Sequence, residues 1–104
     1  MTNANVLLDA LAEPTRRLIL ERLVARPSAV SDIAREMPIS RSAVSQHLQL
    51  LKSVGLVTDH AEGTRRIYQV DPDALAIICS YFDAFWKRSL ASFQEAVERT
   101  ERKS

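Results

Sequence analysis

The amino-acid sequence predicts a mainly α-helical fold with one small β-hairpin. Three observations carry that prediction. Apolar residues recur at helical spacing along most of the chain. A single β-rich segment, Leu56 to Val70, interrupts them, and proline or glycine marks several of the boundaries between segments. At 104 residues the chain has the size of one domain, 1–104, with room for a modest core, so a long element left uncovered needs a partner.

Asn5 to Ala12 reads as a short helix carrying Val6, Leu7, Leu8 and Leu11, ended at Glu13 because a residue before proline is driven out of the helical region. A second helix runs from about Thr15 to Ala25 with Leu18, Ile19, Leu20, Leu23 and Val24 as a wide buried face, and Pro27 closes it. Ser28 is placed to cap a third helix with Val30, Ile33, Ala34 and Met37 inward, stopped by Pro38. Ser40 is the expected N-cap of a fourth helix and Gly55 its left-handed C-terminal residue. Val44, Leu48 and Leu51, spaced i, i+4, i+7, form that helix's core stripe. Two helices joined by a turn of roughly three residues, the second amphipathic, fit a helix-turn-helix over 28–55.

In the β-rich segment, LVTDH and RRIYQV flank AEGT, where Gly63 supplies a positive φ. A hairpin at 56–70 directly after a helix-turn-helix is a wing. Asp71 then caps a long helix that starts at Pro72 and reaches about Arg99, roughly 40 Å at 1.5 Å per residue. Leu75, Ile78, Phe82, Phe85, Trp86, Leu90, Phe93 and Val97 form its stripe, and five of the six aromatic residues lie between Tyr81 and Phe93. One small domain does not cover such a stripe. The charged tail from Thr100 to Ser104 is expected to fray.

The single cysteine, Cys79, excludes an internal disulfide framework and a multi-cysteine zinc site, in keeping with a reducing cytosol. MTNANVLLDALAEPTRR lacks the basic and apolar regions of a signal peptide, and no run approaches a membrane span, so the expectation is a cytoplasmic protein with no membrane partner. Net charge is only +1, below what many DNA-binding domains carry. The local distribution differs: from Ser40 to Arg66, Arg41, Lys52, Arg65 and Arg66 stand against Asp59 and Glu62.

The face of the fourth helix turned from the core carries Arg41, Ser42, Ser45, Gln46, Gln49 and Lys52, and no acidic residue occurs from Ser40 to Thr58. Gln pairs bidentately with adenine, Arg with guanine, and Ser with several base edges. Arg65 and Arg66 on the hairpin suit the neighbouring backbone or minor groove. Each feature alone equally describes a solvated surface, but a recognition-type helix followed by a basic wing is more specific. The reading is a DNA-binding regulator. Its rival is a winged helix that docks a protein partner without binding DNA. An enzyme is not expected, because there is no nucleophile with an adjacent base, no glycine-rich phosphate loop and no carboxylate pair in a plausible pocket. Asp9 and Glu13, at i, i+4, read as solvent-facing.

These residues resemble the ArsR-type winged-helix transcriptional regulators over nearly the whole chain. LLDALAEPTRRLILERL is similar to that family's opening helices, SRSAVSQHLQLLKSVGLV to its recognition helix, and EGTRRIYQV to its wing. The resemblance implies a homodimeric repressor formed through its first and last helices, 5–12 and 72–99, that releases its promoter when an effector binds. It makes Ser42, Ser45, Gln46 and His47 the foremost base or phosphate contacts, and places Val6, Leu7, Leu11, Ile78, Phe82, Phe85, Trp86 and Phe93 at the dimer interface. Two recognition helices on a two-fold axis imply double-stranded DNA with an imperfect inverted repeat, half-sites about one helical turn apart.

The family's metal-sensing patterns are missing. Where relatives carry Cys-Val-Cys-Asp, this chain has Ala29-Val30-Ser31-Asp32, and no histidine occurs from Pro72 to Arg99, so neither a metal nor a cofactor is expected. Cys79 is either a small buried hydrophobe or a thiol meeting its symmetry mate, with packing the commoner fate. His47 has a DNA-contact reading beside a capping or solvated one, and His60 reads as a strand residue with a phosphate contact as the other option. YFDAFWKRSLASF is similar to a subgroup without recognised metal ligands. Helical spacing favours dimer core for its aromatics over a cavity for a small apolar effector, which stays unidentified.

Overall fold

The computed structural model describes residues 3–103. Their order is α1 Ala4–Ala10, α2 Pro14–Ala25, α3 Val30–Glu36, α4 Arg41–Ser53, β1 Val57–Glu62, β2 Arg65–Val70 and α5 Pro72–Lys103. Side chains cap four of the helices: the Val6 amide donates to Asn3 Oδ1 at 3.1 Å, the Arg16 amide to Glu13 Oε2 at 2.8 Å, the Ala43 amide to Ser40 Oγ at 3.1 Å and the Asp73 amide to Asp71 Oδ1 at 2.9 Å. Glu13, which follows α1, thus opens α2, with Pro14 in the first turn where a missing N–H costs nothing. Arg16 and Arg17 reach back to the Ala10 and Leu11 carbonyls and close the end of α1.

Ser28 does not cap α3. Its backbone pairs with Tyr68 through two hydrogen bonds of 3.0 and 2.9 Å, a one-residue bridge onto the hairpin, and its hydroxyl donates to the Arg26 carbonyl. The helix begins at Val30, and the Asp32 carboxylate accepts from the Ala29 amide at 3.4 Å. At the other end of the helix-turn-helix, α4 finishes as a Schellman motif. Gly55 has φ 88°, its amide donates to Lys52, and the Leu56 amide donates to the Leu51 carbonyl. Leu51 and Leu56 are both fully buried, the apolar contact that accompanies this motif.

The hairpin is antiparallel with Val57 opposite Val70 and Glu62 opposite Arg65. Its turn is tighter than the four-residue AEGT of the sequence reading: Ala61 and Glu62 belong to β1, leaving Gly63 and Thr64 as the loop. Only Gly63 of that pair has a positive φ, 64°, the signature of a type II′ turn, whose twist matches that of the strands.

The core gathers Leu7, Ile19, Leu23, Ile33, Val44, Leu48, Leu51, Leu56, Val57 and Tyr68 from every element but α5, which contributes Ala74 and, partly buried, Ile78. Beyond those first turns α5 leaves the body. Its 32 residues correspond to about 48 Å of helix. The radius of gyration is 18.9 Å and the longest extent 70 Å, against about 13 Å for the radius of a compact chain of this length. The helix also runs through the segment expected to fray, with Thr100 Oγ1 donating to the Ala96 carbonyl and Arg102 pairing with Glu98, while Ser104 lies outside the described residues.

Candidate nucleic-acid interface

Helix α4 is held by its inward stripe, Val44, Leu48 and Leu51, all without exposed surface. At about 100° per residue the opposite face is then Ser42, Gln46 and Gln49, and all three are exposed. Leu50 shares that side and is 40% exposed, a residue the sequence reading did not single out. Ser45 lies half-buried on one flank and His47 on the other. His47 Nδ1 sits 3.9 Å from Glu13 Oε2 with the side chain 25% exposed, so it faces the start of α2. Gln49 donates to Tyr68 Oη at 3.3 Å, which ties the helix to the hairpin. Tyr68 is therefore a junction: its ring is in the core, its backbone holds Ser28 and its hydroxyl holds Gln49. The sequence signal for it was only an aromatic in a strand.

Three of the four cations expected to meet phosphate have carboxylate partners within the chain. Lys52 Nζ is 3.0 Å from Asp59, and Arg66 is 3.2 Å from the same carboxylate. Arg65 pairs with Asp32 of α3, which also takes Arg35. Arg41 has no ion pair among the described residues. The hydrogen bond from Lys52, then the charges of Lys52 and Arg66, hold Asp59 below the ordinary aspartate range despite its desolvation. For Asp32 desolvation pushes upward most strongly, but the Arg65, Ala29 and Arg35 hydrogen bonds together outweigh it and the net shift is downward. Glu13 is lowered first by the Arg16 amide it accepts.

Between the start of α4, the start of α3 and the turn of the hairpin lies an open cavity of about 250 Å³, lined by Ser31, Arg41, Thr64, Arg65 and Arg66 over a floor of Ala29, Val30 and Tyr68. Arginines from two separate elements, α4 and β2, thus line the cavity where the outer face of α4 begins. Among the described residues no cluster of three or more His, Cys, Asp or Glu side chains could hold a metal.

A family profile described as a helix-turn-helix domain matches residues 11–60. The HTH-type transcriptional regulator Rv2034 of Mycobacterium tuberculosis is 49% identical over 90 residues, 86% of this chain and 84% of that protein. An ArsR-like transcriptional regulator from Rhodococcus sp. RHA1 superposes with a TM-score of 0.73 at 28% identity, covering 89% of this chain and 91% of that one. The chain belongs to the ArsR family of winged helix-turn-helix transcriptional regulators. A further similar structure, the winged helix-turn-helix DNA-binding domain of Mb0332 from Mycobacterium bovis, is described as homodimeric and as a possible ArsR-family transcriptional regulator. It matches with a TM-score of 0.66 at 32% identity over 77% of this chain and 75% of that one.

Within the ArsR fold, the residues expected at a dimer interface divide. Phe82, Phe85, Trp86 and Phe93 of α5 are exposed, from 41% to 69%, and Val6 of α1 is 41% exposed. Leu7 is a correction: it has no exposed surface and belongs to the chain's own core. Leu11 and Ile78 are partly buried against that core. Cys79 is exposed, which corrects the expectation of a buried hydrophobe within one chain.

Proposed function

We propose that this protein is a cytoplasmic, homodimeric, sequence-specific repressor that binds an inverted-repeat operator in double-stranded DNA through α4 and the wing, without catalysis, metal or cofactor. The observation that carries the reading is the exposed, acid-free outer face of α4, Ser42, Gln46 and Gln49, which begins beside the cavity lined by Arg41, Arg65 and Arg66. Short hydroxyls and amides on a helix suit base edges in a major groove, and guanidiniums at its start suit the flanking phosphates. Support for two copies comes from the exposed aromatic stripe of α5 and from the homodimeric Mb0332 relative. No helix among the described residues is long and apolar enough to cross a membrane.

In this reading Gln46 and Ser42 read bases, Gln49 positions the helix against the wing, Ser45 and His47 sit at the flanks, and Arg41, Lys52, Arg65 and Arg66 face phosphate. Fluorescence anisotropy against a duplex from the upstream region of its own gene and a scrambled duplex, across a salt series, tests it. The native duplex should bind more tightly, with a steep salt slope on both. Gln46→Ala should cost about 1 to 3 kcal/mol on the native duplex alone, whereas Arg65→Ala should weaken both alike. Weak, salt-insensitive binding to both duplexes would refute DNA recognition and leave the α4 face as a protein-docking surface.

A further inference from the structure

Helix α4 presents two glutamines on its exposed face, and the fold treats them differently. Gln46 makes no side-chain hydrogen bond among the described residues, so both ends of its amide are open to a ligand. Gln49, about one turn further along, is tied: its amide lies 3.3 Å from Tyr68 Oη. Tyr68 is the fixed end of that contact. It is 4% exposed, its ring packs in the core, and two backbone hydrogen bonds to Ser28, of 3.0 and 2.9 Å, hold its strand in place. Gln49 is the one group among the described residues that bonds the phenol.

We propose that Tyr68 sets the base specificity of α4 by withholding Gln49 from bidentate pairing with adenine. The inference rests on the DNA-binding reading above and adds to it a positioning residue that touches no base. An adenine pair needs both amide atoms of a glutamine, the oxygen for N6 and the nitrogen for N7. Tyr68 takes one of them, whichever way round the amide is set, because a phenol both donates and accepts. The atom left over makes a single hydrogen bond. An oxygen accepts from adenine N6 or cytosine N4, and a nitrogen donates to guanine O6, thymine O4 or a purine N7, so neither identifies one base. Letting go of Tyr68 restores the bidentate pair but strands a buried hydroxyl. The pair is worth about 5- to 150-fold in discrimination, and a stranded buried polar group costs about the same factor, so the exchange yields no net preference. Gln46, which has no such tie, remains the adenine reader of the helix.

The test is selection of bound sequences from a pool of randomised duplexes by the full chain, run with the wild type, with Tyr68→Phe, and with Tyr68→Phe and Gln49→Ala together. Phenylalanine keeps the ring in the core and removes the hydroxyl, which frees both amide atoms of Gln49. The expected result is that Tyr68→Phe gains adenine by at least about 5-fold at one new position in each half-site and keeps its other preferences. Adding Gln49→Ala should abolish that gain. Identical preferences in the wild type and Tyr68→Phe overturn the proposal, as does a gain that survives Gln49→Ala or a general loss of preference. A wild type that enriches no sequence overturns DNA recognition as well. A measurement on the wild type alone guards against a Tyr68→Phe chain that fails to fold. In the free protein, NMR relaxation of the side-chain amides should show Gln49 ordered and Gln46 averaged, and equal mobility of the two overturns the proposal.

Discussion

Asp59 is the place where the electrostatics of DNA binding can be read out most directly. Its carboxylate, with the side chain only 7% exposed, holds Lys52 at 3.0 Å and Arg66 at 3.2 Å, so two cations and one anion present a net single positive charge. Asp59→Asn keeps the shape and removes the anion, raising the charge offered to phosphate by one per protomer and two per dimer. Each phosphate neutralised contributes about 0.9 to the slope of log K against log salt, so the slope should steepen by about 1.8. Extrapolated from 1 M, where this contribution vanishes, the gain at 0.1 M salt is at most about 60-fold, on native and scrambled duplexes alike. The assay is anisotropy over a salt series, with circular dichroism to show that the fold is kept. An unchanged slope in a folded variant would refute the placement of Lys52 and Arg66 against phosphate.

Gly55→Ala should destabilise the fold by about 1 to 2 kcal/mol in urea melts, because a Cβ at φ 88° crowds the following carbonyl and the Schellman hydrogen bonds depend on that conformation. Tyr68→Phe keeps the ring in the core but removes the acceptor for Gln49, and should cost about 0.5 to 1.5 kcal/mol by the same melts. Asp59, Asp32, Glu36 and Glu13 all titrate below their ordinary ranges in the folded chain. Their contribution is therefore complete above the unfolded values near pH 4 and is withdrawn as pH falls through the lowered folded values. Denaturation midpoints should be flat from neutrality to about pH 5 and drop below about pH 4, and a midpoint that rose on acidification would contradict these pairings.

The elements were legible in the sequence because each is written in a local code. Val44, Leu48 and Leu51 recur with the period of a helix and are buried together; Ser40 and Gly55 bound that helix by cap chemistry; the β-rich run around Gly63 announces a hairpin. The outer face of α4 followed from the same periodicity, since fixing the core stripe fixes its opposite. The uncovered aromatic stripe was legible too, because a helix longer than the domain is wide leaves part of itself unburied.

What only the tertiary structure decided is where charge and hydrogen bonds meet between elements. No acidic residue occurs from Ser40 to Thr58, yet in space Asp59 reaches back to Lys52, and Asp32 meets Arg65 across 33 residues of sequence. Ser28, placed to cap a helix, pairs with Tyr68 on the hairpin, and Gln49, on the face suited to bases, is held by the same tyrosine. Val6 and Leu7 are neighbours in one apolar run, but packing of α1 buries Leu7 completely and leaves Val6 exposed. Helical period determines which residues share a face; which partner that face meets depends on distances between elements, and those exist only once the chain has folded.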